Sequence, residues 1–504
     1  MSFVGYEKLR QQFGLAAFDI ERPTKIMSVT RIEQTPQGIW VPRSTAPTTD
    51  DPLDHLLFAL KHEGINLPII VQAVSRILPE RLLEEIRATP NGANIRKACY
   101  LWETYTGNSL DDIPPIGGQV ADLFDAARYV TAPGVRNAKW RVRFNGLGSP
   151  TYCPTVERTP VIDALMNAGI LEQANSFIGS LSHEMMDRAL AWAYLSETES
   201  SFAIERETPS ESKAESFANL LRQAHDPQPL SESYLAELQS SAVSSVFDQA
   251  SSFRGEQNWL RGPLRGSAGV TYVPPAPGQV AELMGGLMSF ANGIAKDVDP
   301  LVAASVISFG FVFIHPFMDG NGRLSRFLFH HALCQSGRLE KGFMLPVSIA
   351  MKRNEADYLA ALKGFSKKAR RYWQVTWLDG DEYDFKFTGH PSIYQFWNAT
   401  QCVEFGFKMA QQALEIDLRK ETEFLSDYDQ IVRAVNDAVD IRNSDLAALV
   451  VSCLQHNGTI SKNRRKQYGG RVPETTFALI ERITREKTPG IPRRYGLSNA
   501  PEAE

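Results

Sequence analysis

The stretch HPFMDGNGRLSR, residues 315–326, decides how the centre of this chain folds. An apolar run begins at Leu301 and leads into it, and Pro316 disfavours helical geometry at the preceding residue, so a helix should end at His315. Beyond the glycines, apolar and histidine side chains recur at helical spacing from about residue 322. We therefore predict two helices joined by a tight, glycine-containing turn.

The turn has the composition of a phosphate-binding site. Gly320, Asn321 and Gly322 let the backbone approach a ligand closely, and a turn that opens a helix offers free N–H groups to an anion. Arg323 and Arg326 lie three residues apart, so they project from one face of the new helix. Because cations at a helix N-terminus oppose the helix dipole, a bound polyphosphate would account for them.

Two further side chains of the stretch carry reactive chemistry. Asp319 supplies a hard oxygen ligand of the kind that binds Mg²⁺ beside phosphates. His315 supplies a base whose ordinary pKa of about 6.5 suits the removal of a hydroxyl proton. No Gly-Lys-Ser or Gly-Lys-Thr follows the glycines, so the turn is not a Walker loop.

The same stretch resembles the active-site motif HPFx(D/E)GNGRxxR of Fic (filamentation-induced-by-cAMP) proteins, with every fixed position present. Fic enzymes typically transfer AMP from ATP to a hydroxyl side chain of a target protein and release pyrophosphate. The resemblance implies that His315 deprotonates the target hydroxyl and that Asp319 holds Mg²⁺. It also implies an ATP-binding set, with the last member on the γ-phosphate: Gly320, Asn321, Gly322, Arg323 and Arg326. The kinase-like Doc relatives carry lysine where this chain has Gly322, so the resemblance favours adenylyl transfer over phosphoryl transfer.

Two more segments resemble Fic proteins. Residues 254–275 look like the flap that pairs with the target backbone. This implies target contacts from Gln257, Asn258, Trp259 and Leu260, although an aromatic packed into the fold is the competing interpretation of the tryptophan. Tyr358 lies in a segment similar to the helix whose tyrosine lines the adenine site of Fic proteins.

Ser201 and Glu205 match the Fic inhibitory pattern (S/T)xxxE(G/N), except that Arg206 stands at its last position. A carboxylate beside Arg326 would pair with the guanidinium, occupy the γ-phosphate position and repel the triphosphate. The competing interpretation is an ordinary surface glutamate near a helix end, since SxxxE is a common pattern. We predict an inhibitory role for Glu205, and we expect the departure at Arg206 to affect the end of the helix more than that role.

The composition is that of an ordinary soluble protein, with 504 residues, 43% apolar side chains and a net charge of −5. These values argue against a disordered chain and against wholesale binding to nucleic acid. The five cysteines are odd in number and lack CxxC spacing, which predicts reduced thiols in a cytoplasmic protein. The most apolar stretch, 301–317, is too short and too interrupted to span a membrane. The remaining histidines lack metal-ligand spacing, so we expect no zinc site.

We predict a mainly α fold, in which a Fic-type helical core with a short β-hairpin flap lies between helical extensions. Helices are expected at about 278–293, 300–314 and 322–336, a long helix from about Ser392, and a solvated connection over 206–230. The predicted domains are an N-terminal mostly helical region, 1–155, a Fic domain, 156–370, and a C-terminal helical region, 371–504, for which a winged-helix-like module is one option. Within the Fic domain we place the inhibitory helix at about 190–206. A small two-stranded piece is predicted between Trp373 and Phe387.

The predicted function is AMP transfer from ATP to a Ser, Thr or Tyr hydroxyl of a target protein or of the chain itself, with Mg²⁺ as cofactor and Glu205 as inhibitor of Arg326. Two alternatives remain open. Glu205 could instead position a water that removes AMP from a modified target. The Fic core could also act as a nucleotide sensor whose C-terminal module, 440–504, binds nucleic acid or protein. That module is locally basic around Lys462, Arg464, Arg465 and Lys466, although the acidic chain favours a solvated face there.

Overall fold

The computed structural model describes residues 2–243, 245–380 and 382–488. The chain divides into two compact units. The first contains Met1–Gly169, Ser201–Gly342 and Asn354–Lys408, and the second contains Ile170–Ser200, Phe343–Arg353 and Met409–Glu504. Residues 489–504, with Arg493 and Arg494 of the predicted basic segment, lie outside the described part.

Helices dominate the described chain, as predicted. They are α1 (Gly5–Phe13), α2 (Pro52–His62), α3 (Leu67–Ala73), α4 (Pro79–Ala88), α5 (Ala93–Thr106), α6 (Pro160–Asn167), α7 (Ile170–Gly179), α8 (His183–Ile204), α9 (Glu211–Gln223), α10 (Glu232–Ala242), α11 (Pro277–Asn292), α12 (Pro300–Ile314), α13 (Asn321–Gln335), α14 (Val347–Arg353), α15 (Glu355–Arg370), α16 (Ser392–Gln395), α17 (Thr400–Gln412), α18 (Arg419–Asn436), α19 (Asn443–Gln455), α20 (Lys462–Tyr468) and α21 (Glu474–Lys487).

The strands are short and form four small sheets over the described residues. They are β1 (Thr24–Ile26), β2 (Glu33–Thr35), β3 (Gly38–Val41), β4 (Ala121–Asp122), β5 (Val135–Asn137), β6 (Val142–Phe144), β7 (Leu260–Arg261), β8 (Val270–Tyr272), β9 (Trp373–Asp379) and β10 (Glu382–Phe387). Two sheets have the orders β1-β3-β2 and β4-β6-β5, and each has one parallel and one antiparallel pair. The other two are the antiparallel pairs β7–β8 and β9–β10. The predicted flap hairpin and the predicted piece between Trp373 and Phe387 are thus confirmed.

The helices α12 and α13 form the centre of the first unit. All residues of α12 except Val312 are buried, because its sequence PLVAASVISFGFVFI is apolar on every face. Asp299 caps its N-terminus by accepting hydrogen bonds from the N–H groups of Leu301 and Val302. Gly310 lets α12 pack closely, since a Cβ there would lie 2.7 Å from the hydroxyl of Tyr152. The predicted bounds of α11, α12 and α13 are confirmed to within one residue.

Two sequence predictions about the elements are wrong. The expected connection over 206–230 contains α9, whose Phe217, Leu220 and Leu221 are buried at helical spacing. Its many charges and serines obscured that apolar stripe. The long helix expected from about Ser392 is interrupted, because α16 ends at Gln395 and α17 begins at Thr400.

The second unit has its own apolar core, built mainly by α18, α19 and α21 around residues such as Ile431, Leu449 and Phe477. Its basic side chains are partly neutralised, since Arg465 pairs with Glu474 and Glu481. No helix within the described residues is both long and apolar enough to cross a membrane. The predicted domain boundaries and the nucleic-acid-binding alternative remain predictions.

Candidate active site

The turn between α12 and α13 has an unusual backbone. His315 closes α12 in the left-handed region with φ 53°, and Gly320 precedes α13 with φ 83°. Asn321 closes the turn, because its side-chain oxygen accepts a hydrogen bond from the N–H of Phe317 at 3.0 Å and its amide donates to the Phe317 carbonyl at 2.8 Å. The turn therefore presents the N-terminus of α13 beside His315. All side chains of the site belong to the first unit.

His315 is held in one tautomer. Its Nδ1 lies 3.1 Å from the carbonyl oxygen of Val312, and since a carbonyl only accepts, Nδ1 carries the proton and Nε2 keeps its lone pair. The pKa of His315 is lowered to about 4, chiefly by burial and also by the positive charge of Arg254, while the hydrogen bond to Val312 and the charges of Glu205 and Asp319 oppose this shift. The imidazole is thus neutral at physiological pH and has a free base nitrogen.

Arg326 is paired with the segment that the inhibitory pattern singles out. Its Nη2 donates to Glu205 Oε1 at 2.9 Å and to the Ser201 carbonyl at 2.8 Å, and its Nε donates to Ser201 Oγ at 2.8 Å. The guanidinium is only 1% exposed, whereas Glu205 is 35% exposed. A Cβ on Gly322 would collide with Glu205 Oε1, so the carboxylate lies directly over the first turn of α13. The structure thus brings both predicted inhibitory residues to Arg326.

Arg323 has a second acidic partner that the sequence analysis did not anticipate. Its Nη1 donates to Glu207 Oε2 at 3.0 Å, and its Nη2 lies 3.4 Å from Asp319 Oδ2. The guanidinium also stacks over the ring of Phe202 at 5.2 Å and is 2% exposed. Both motif arginines are therefore engaged by the segment 201–207. The pattern SxxxE pointed to one carboxylate only, and nothing in the sequence pattern indicated the contact of Glu207 with Arg323.

The end of α8 explains this arrangement. The N–H of Glu207 donates to the Phe202 carbonyl at 3.1 Å and the N–H of Arg206 to the Ala203 carbonyl at 3.1 Å, which is a Schellman motif. Arg206 takes the left-handed conformation with φ 61°. Glycine and asparagine, which the inhibitory pattern has at this position, adopt that conformation most easily. The helix thus ends at Ile204 despite Arg206.

Comparison with known proteins agrees with this geometry. The Fic/DOC family model matches residues 229–333, which include the whole turn and both motif arginines. The chain carries a Fic domain. Similar curated proteins include the Protein adenylyltransferase Fic of Drosophila willistoni, 34% identical over 93 residues, and that of Drosophila melanogaster, 33% identical over 93 residues. Each alignment covers 18% of this chain and 17% or 18% of the relative, so the chain spans less than a fifth of these relatives' length.

Solved structures of Fic proteins are also similar, at lower identity. A Fic family protein from Desulfovibrio desulfuricans has a TM-score of 0.39 and 20% identity, covering 65% of this chain and 89% of that one. A Fic-1 fragment from C. elegans has a TM-score of 0.32 and 17% identity, covering 69% and 91%. The segment 201–207, for which the sequence predicts an inhibitory role, lies outside the matched Fic segment, so its interpretation depends on the contacts described above.

Tyr358 lies beside Arg326, the last arginine of the Fic motif. It is 7% exposed and packs against Phe309 and Phe405, with ring centroids 6.1 and 5.6 Å away. Burial raises the pKa of its phenol, and a hydrogen bond with Arg326 opposes that shift. The tyrosine therefore borders the site at Arg326, and its predicted contact with adenine remains a prediction.

The four predicted flap residues have different surroundings. Leu260 is 41% exposed at the start of β7, and Gln257 bonds through its side-chain amide to the Asn258 and Pro274 carbonyls. Asn258 is 5% exposed and donates to the Phe317 carbonyl at 2.8 Å, so it contacts the turn between α12 and α13. Trp259 packs against Tyr383 and Phe385 of β10. The sequence did not indicate that the base of the flap braces the His315 turn.

Proposed function

We propose that this chain transfers AMP from ATP to a hydroxyl side chain of a protein target, either itself or another protein. The observation that supports this most is the neutral imidazole of His315, whose Nε2 lone pair is available beside a glycine turn with two buried arginines. Such a site combines a base with an anion-binding helix N-terminus, which is what a hydroxyl needs in order to attack a phosphate.

The reaction follows from these groups. The target oxygen attacks the α-phosphorus of ATP, and its proton passes to Nε2 of His315. The bond from the α-phosphorus to the bridging oxygen breaks, and pyrophosphate leaves. The N–H groups at the start of α13 and the guanidinium of Arg323 stabilise the negative charge on the phosphates, and Arg326 binds the γ-phosphate.

Asp319 is the residue that would hold Mg²⁺. Its carboxylate is 48% exposed and lies beside the phosphate-binding Arg323. Mg²⁺ commonly uses one or two carboxylates together with substrate phosphates and waters, so a single aspartate suffices. When bound, the ion would neutralise phosphate charge.

We further propose that Glu205 keeps the enzyme inhibited. Its carboxylate engages the nearly buried Arg326 and lies over Gly322, where a phosphate group would have to dock. A triphosphate would meet a negative charge in that position and would find Arg326 already paired. Removal of the carboxylate leaves an arginine that the γ-phosphate can take over as partner.

The test is auto-modification with labelled ATP and Mg²⁺. Glu205→Gly should raise transfer above the wild-type rate, and the double variant Glu205→Gly/Arg326→Ala should not show the gain, because the docking group is gone. Glu205→Gly/His315→Ala is the matched control for chemistry. No rise in Glu205→Gly across a range of Mg²⁺ and ATP concentrations would remove the inhibitory assignment.

A second candidate, AMP removal, uses the same carboxylate. Glu205 lies over the anion site and is close enough to His315 to influence its pKa, so it could position a water against a bound phosphodiester. In that reaction water replaces the target oxygen on phosphorus and AMP leaves. Faster loss of AMP from a pre-modified target in wild type than in Glu205→Gly would favour removal, whereas equal loss would exclude it.

A further inference from the structure

Arg254 connects both ends of the flap to the turn that carries His315. Its Nη1 donates to the Glu256 carbonyl at 2.9 Å and its Nη2 to the Pro275 carbonyl at 2.6 Å. Its Nε donates to the His315 carbonyl at 2.8 Å. Its own N–H donates to the Pro316 carbonyl at 2.8 Å. Four carbonyls from three separate segments therefore meet at one residue.

This arrangement is costly if it serves packing alone. Arg254 is 6% exposed, and its side-chain hydrogen bonds go to backbone carbonyls rather than to a carboxylate. Burial lowers the pKa of its guanidinium to about 10, so part of the cost of burying a charge is uncompensated. An apolar side chain would fill the volume without that cost, but only a planar guanidinium donates in several fixed directions at once.

The contacts fix the distance between the flap and the base. Strand β7 follows the segment that Arg254 holds at Glu256, and strand β8 precedes the segment that it holds at Pro275. The third acceptor is the backbone carbonyl of His315, the same residue whose imidazole is the base. Neighbouring contacts act in the same sense, since Asn258 donates to the Phe317 carbonyl and the Tyr272 hydroxyl to the Phe313 carbonyl. A target segment bound along the flap would therefore always have the same position relative to the imidazole of His315.

We propose that Arg254 is a positioning residue that holds the flap and His315 in register, so that a target hydroxyl bound along the flap lies within reach of the base. This inference rests on the proposed AMP transfer. Its positive charge has a second effect, because it disfavours protonation of the neighbouring imidazole.

The kinetic test compares Arg254→Lys and Arg254→Met in the Glu205→Gly background, with Arg96→Lys as control. Arg96, in α5, is also a buried arginine that donates to three backbone carbonyls, those of Gln119 before β4 and of Trp140 and Arg141 between β5 and β6. We expect both Arg254 variants to lower kcat for a protein target by about 10²-fold, the usual cost of a misplacement of about 1 Å, with KM for ATP unchanged. Arg96→Lys should lower the melting temperature and leave kcat unchanged.

The pH dependence of kcat separates the effect of the positive charge of Arg254 from the effect of its hydrogen-bond geometry. Arg254→Met removes the cation, so the acidic limb of kcat should lie at higher pH than in the Glu205→Gly parent, because the charge of Arg254 lowers the pKa of His315. Arg254→Lys keeps the charge and should leave the limb in place while kcat falls. The proposal would be overturned if the Arg254 variants lost no more kcat than Arg96→Lys and if the acidic limb of the pH profile did not shift. Arg254 would then contribute to stability only.

Hydrogen–deuterium exchange tests the coupling without any activity. In Arg254→Lys, amide exchange should accelerate together in 254–258, 272–275 and 313–317, and Arg96→Lys should leave these segments unchanged. Acceleration confined to 254–258 would contradict the proposal. If Glu205→Gly transfers no AMP, the proposed function fails, whereas the exchange data still decide whether Arg254 couples the flap to the turn.

Discussion

At the scale of single residues, the tautomer of His315 decides which nitrogen can act as base. Because Nδ1 donates to the Val312 carbonyl, Nε2 alone is available. His315→Ala in the Glu205→Gly background should reduce AMP transfer by at least about 10²–10⁴-fold, the typical contribution of a general base. ATP binding measured by calorimetry should persist, because the arginines and the glycine turn are unchanged. Transfer at the parental rate would remove His315 from the mechanism.

Asp319 is the residue through which Mg²⁺ should act. Its carboxylate is about half exposed and contributes little to the core, so Asp319→Ala should fold normally. In the Glu205→Gly background, the Mg²⁺ concentration for half-maximal transfer should rise by at least about tenfold with the loss of a charged ligand. Circular dichroism and melting temperature provide the control for folding. An unchanged Mg²⁺ titration would show that the metal is held elsewhere.

Glu207 should contribute a smaller inhibitory effect than Glu205. It pairs with Arg323 at 3.0 Å but is 41% exposed, and exposed ion pairs contribute about 0–1 kcal/mol. Glu207→Gln in the Glu205→Gly background should therefore tighten ATP binding by up to about fivefold, with a gain that shrinks as salt is added. Glu211→Gln, an exposed glutamate at the start of α9, is the matched control. If Glu207→Gln and Glu211→Gln tightened ATP binding equally, the gain would come from the lower negative charge of the protein and not from the loss of the Glu207–Arg323 pair.

At the scale of elements, the last turn of α8 controls where both carboxylates lie. Arg206 is exposed and has φ 61°, which costs a non-glycine residue about 1 kcal/mol. Arg206→Gly should therefore raise the melting temperature and hold the segment 201–207 more firmly on α13. Basal AMP transfer should fall or stay low, whereas Glu205→Gly/Arg206→Gly should remain active. A rise in transfer in the single variant would contradict this role of the Schellman turn.

At the scale of the whole molecule, stability depends on groups far from the site. Glu63 is partly buried near the N-terminus of α1, where its carboxylate accepts from the Tyr6 N–H at 3.0 Å. Burial raises its pKa to about 7, above the ordinary 4.5. The folded state therefore binds more protons between these values, and this group's contribution to the free energy of unfolding falls as the pH rises from about 4.5 to 7.

Glu63→Gln should remove that pH dependence. The wild type should lose about 1–3 kcal/mol more stability between pH 5 and pH 8 than the variant, as measured by urea unfolding. The glutamine oxygen can still accept from the Tyr6 N–H, so the fold should be kept. His315 and His331, whose pKa values are lowered to about 4 mainly by burial, make the free energy of unfolding rise with pH below about 6.5. They do so equally in both proteins, so their effect cancels when the variant is compared with the wild type. Parallel stability curves for the two proteins would contradict the assignment.

The sequence determined the helical fold and the residues of the candidate site, because both depend on local patterns. The apolar pattern predicted α11, α12 and α13 to within one residue, and the glycines and Pro316 predicted the turn between α12 and α13. The stretch 315–326 placed the base, the aspartate and both arginines within one turn. The pattern around Ser201 and Glu205 also indicated the partner of Arg326, which the contacts support.

Other features required the tertiary structure, because they depend on which distant groups meet. Glu207 reaches Arg323 only because a Schellman turn redirects the chain after Ile204, and no residue spacing encodes a contact across 116 positions. Arg254 donates hydrogen bonds to backbone carbonyls. Every residue has such a carbonyl, so the sequence does not show which ones Arg254 contacts. The burial that lowers the pKa of His315 is likewise a property of the packed core. Local patterns therefore determined the residues of the site, and packing alone decided how they are paired, charged and aligned.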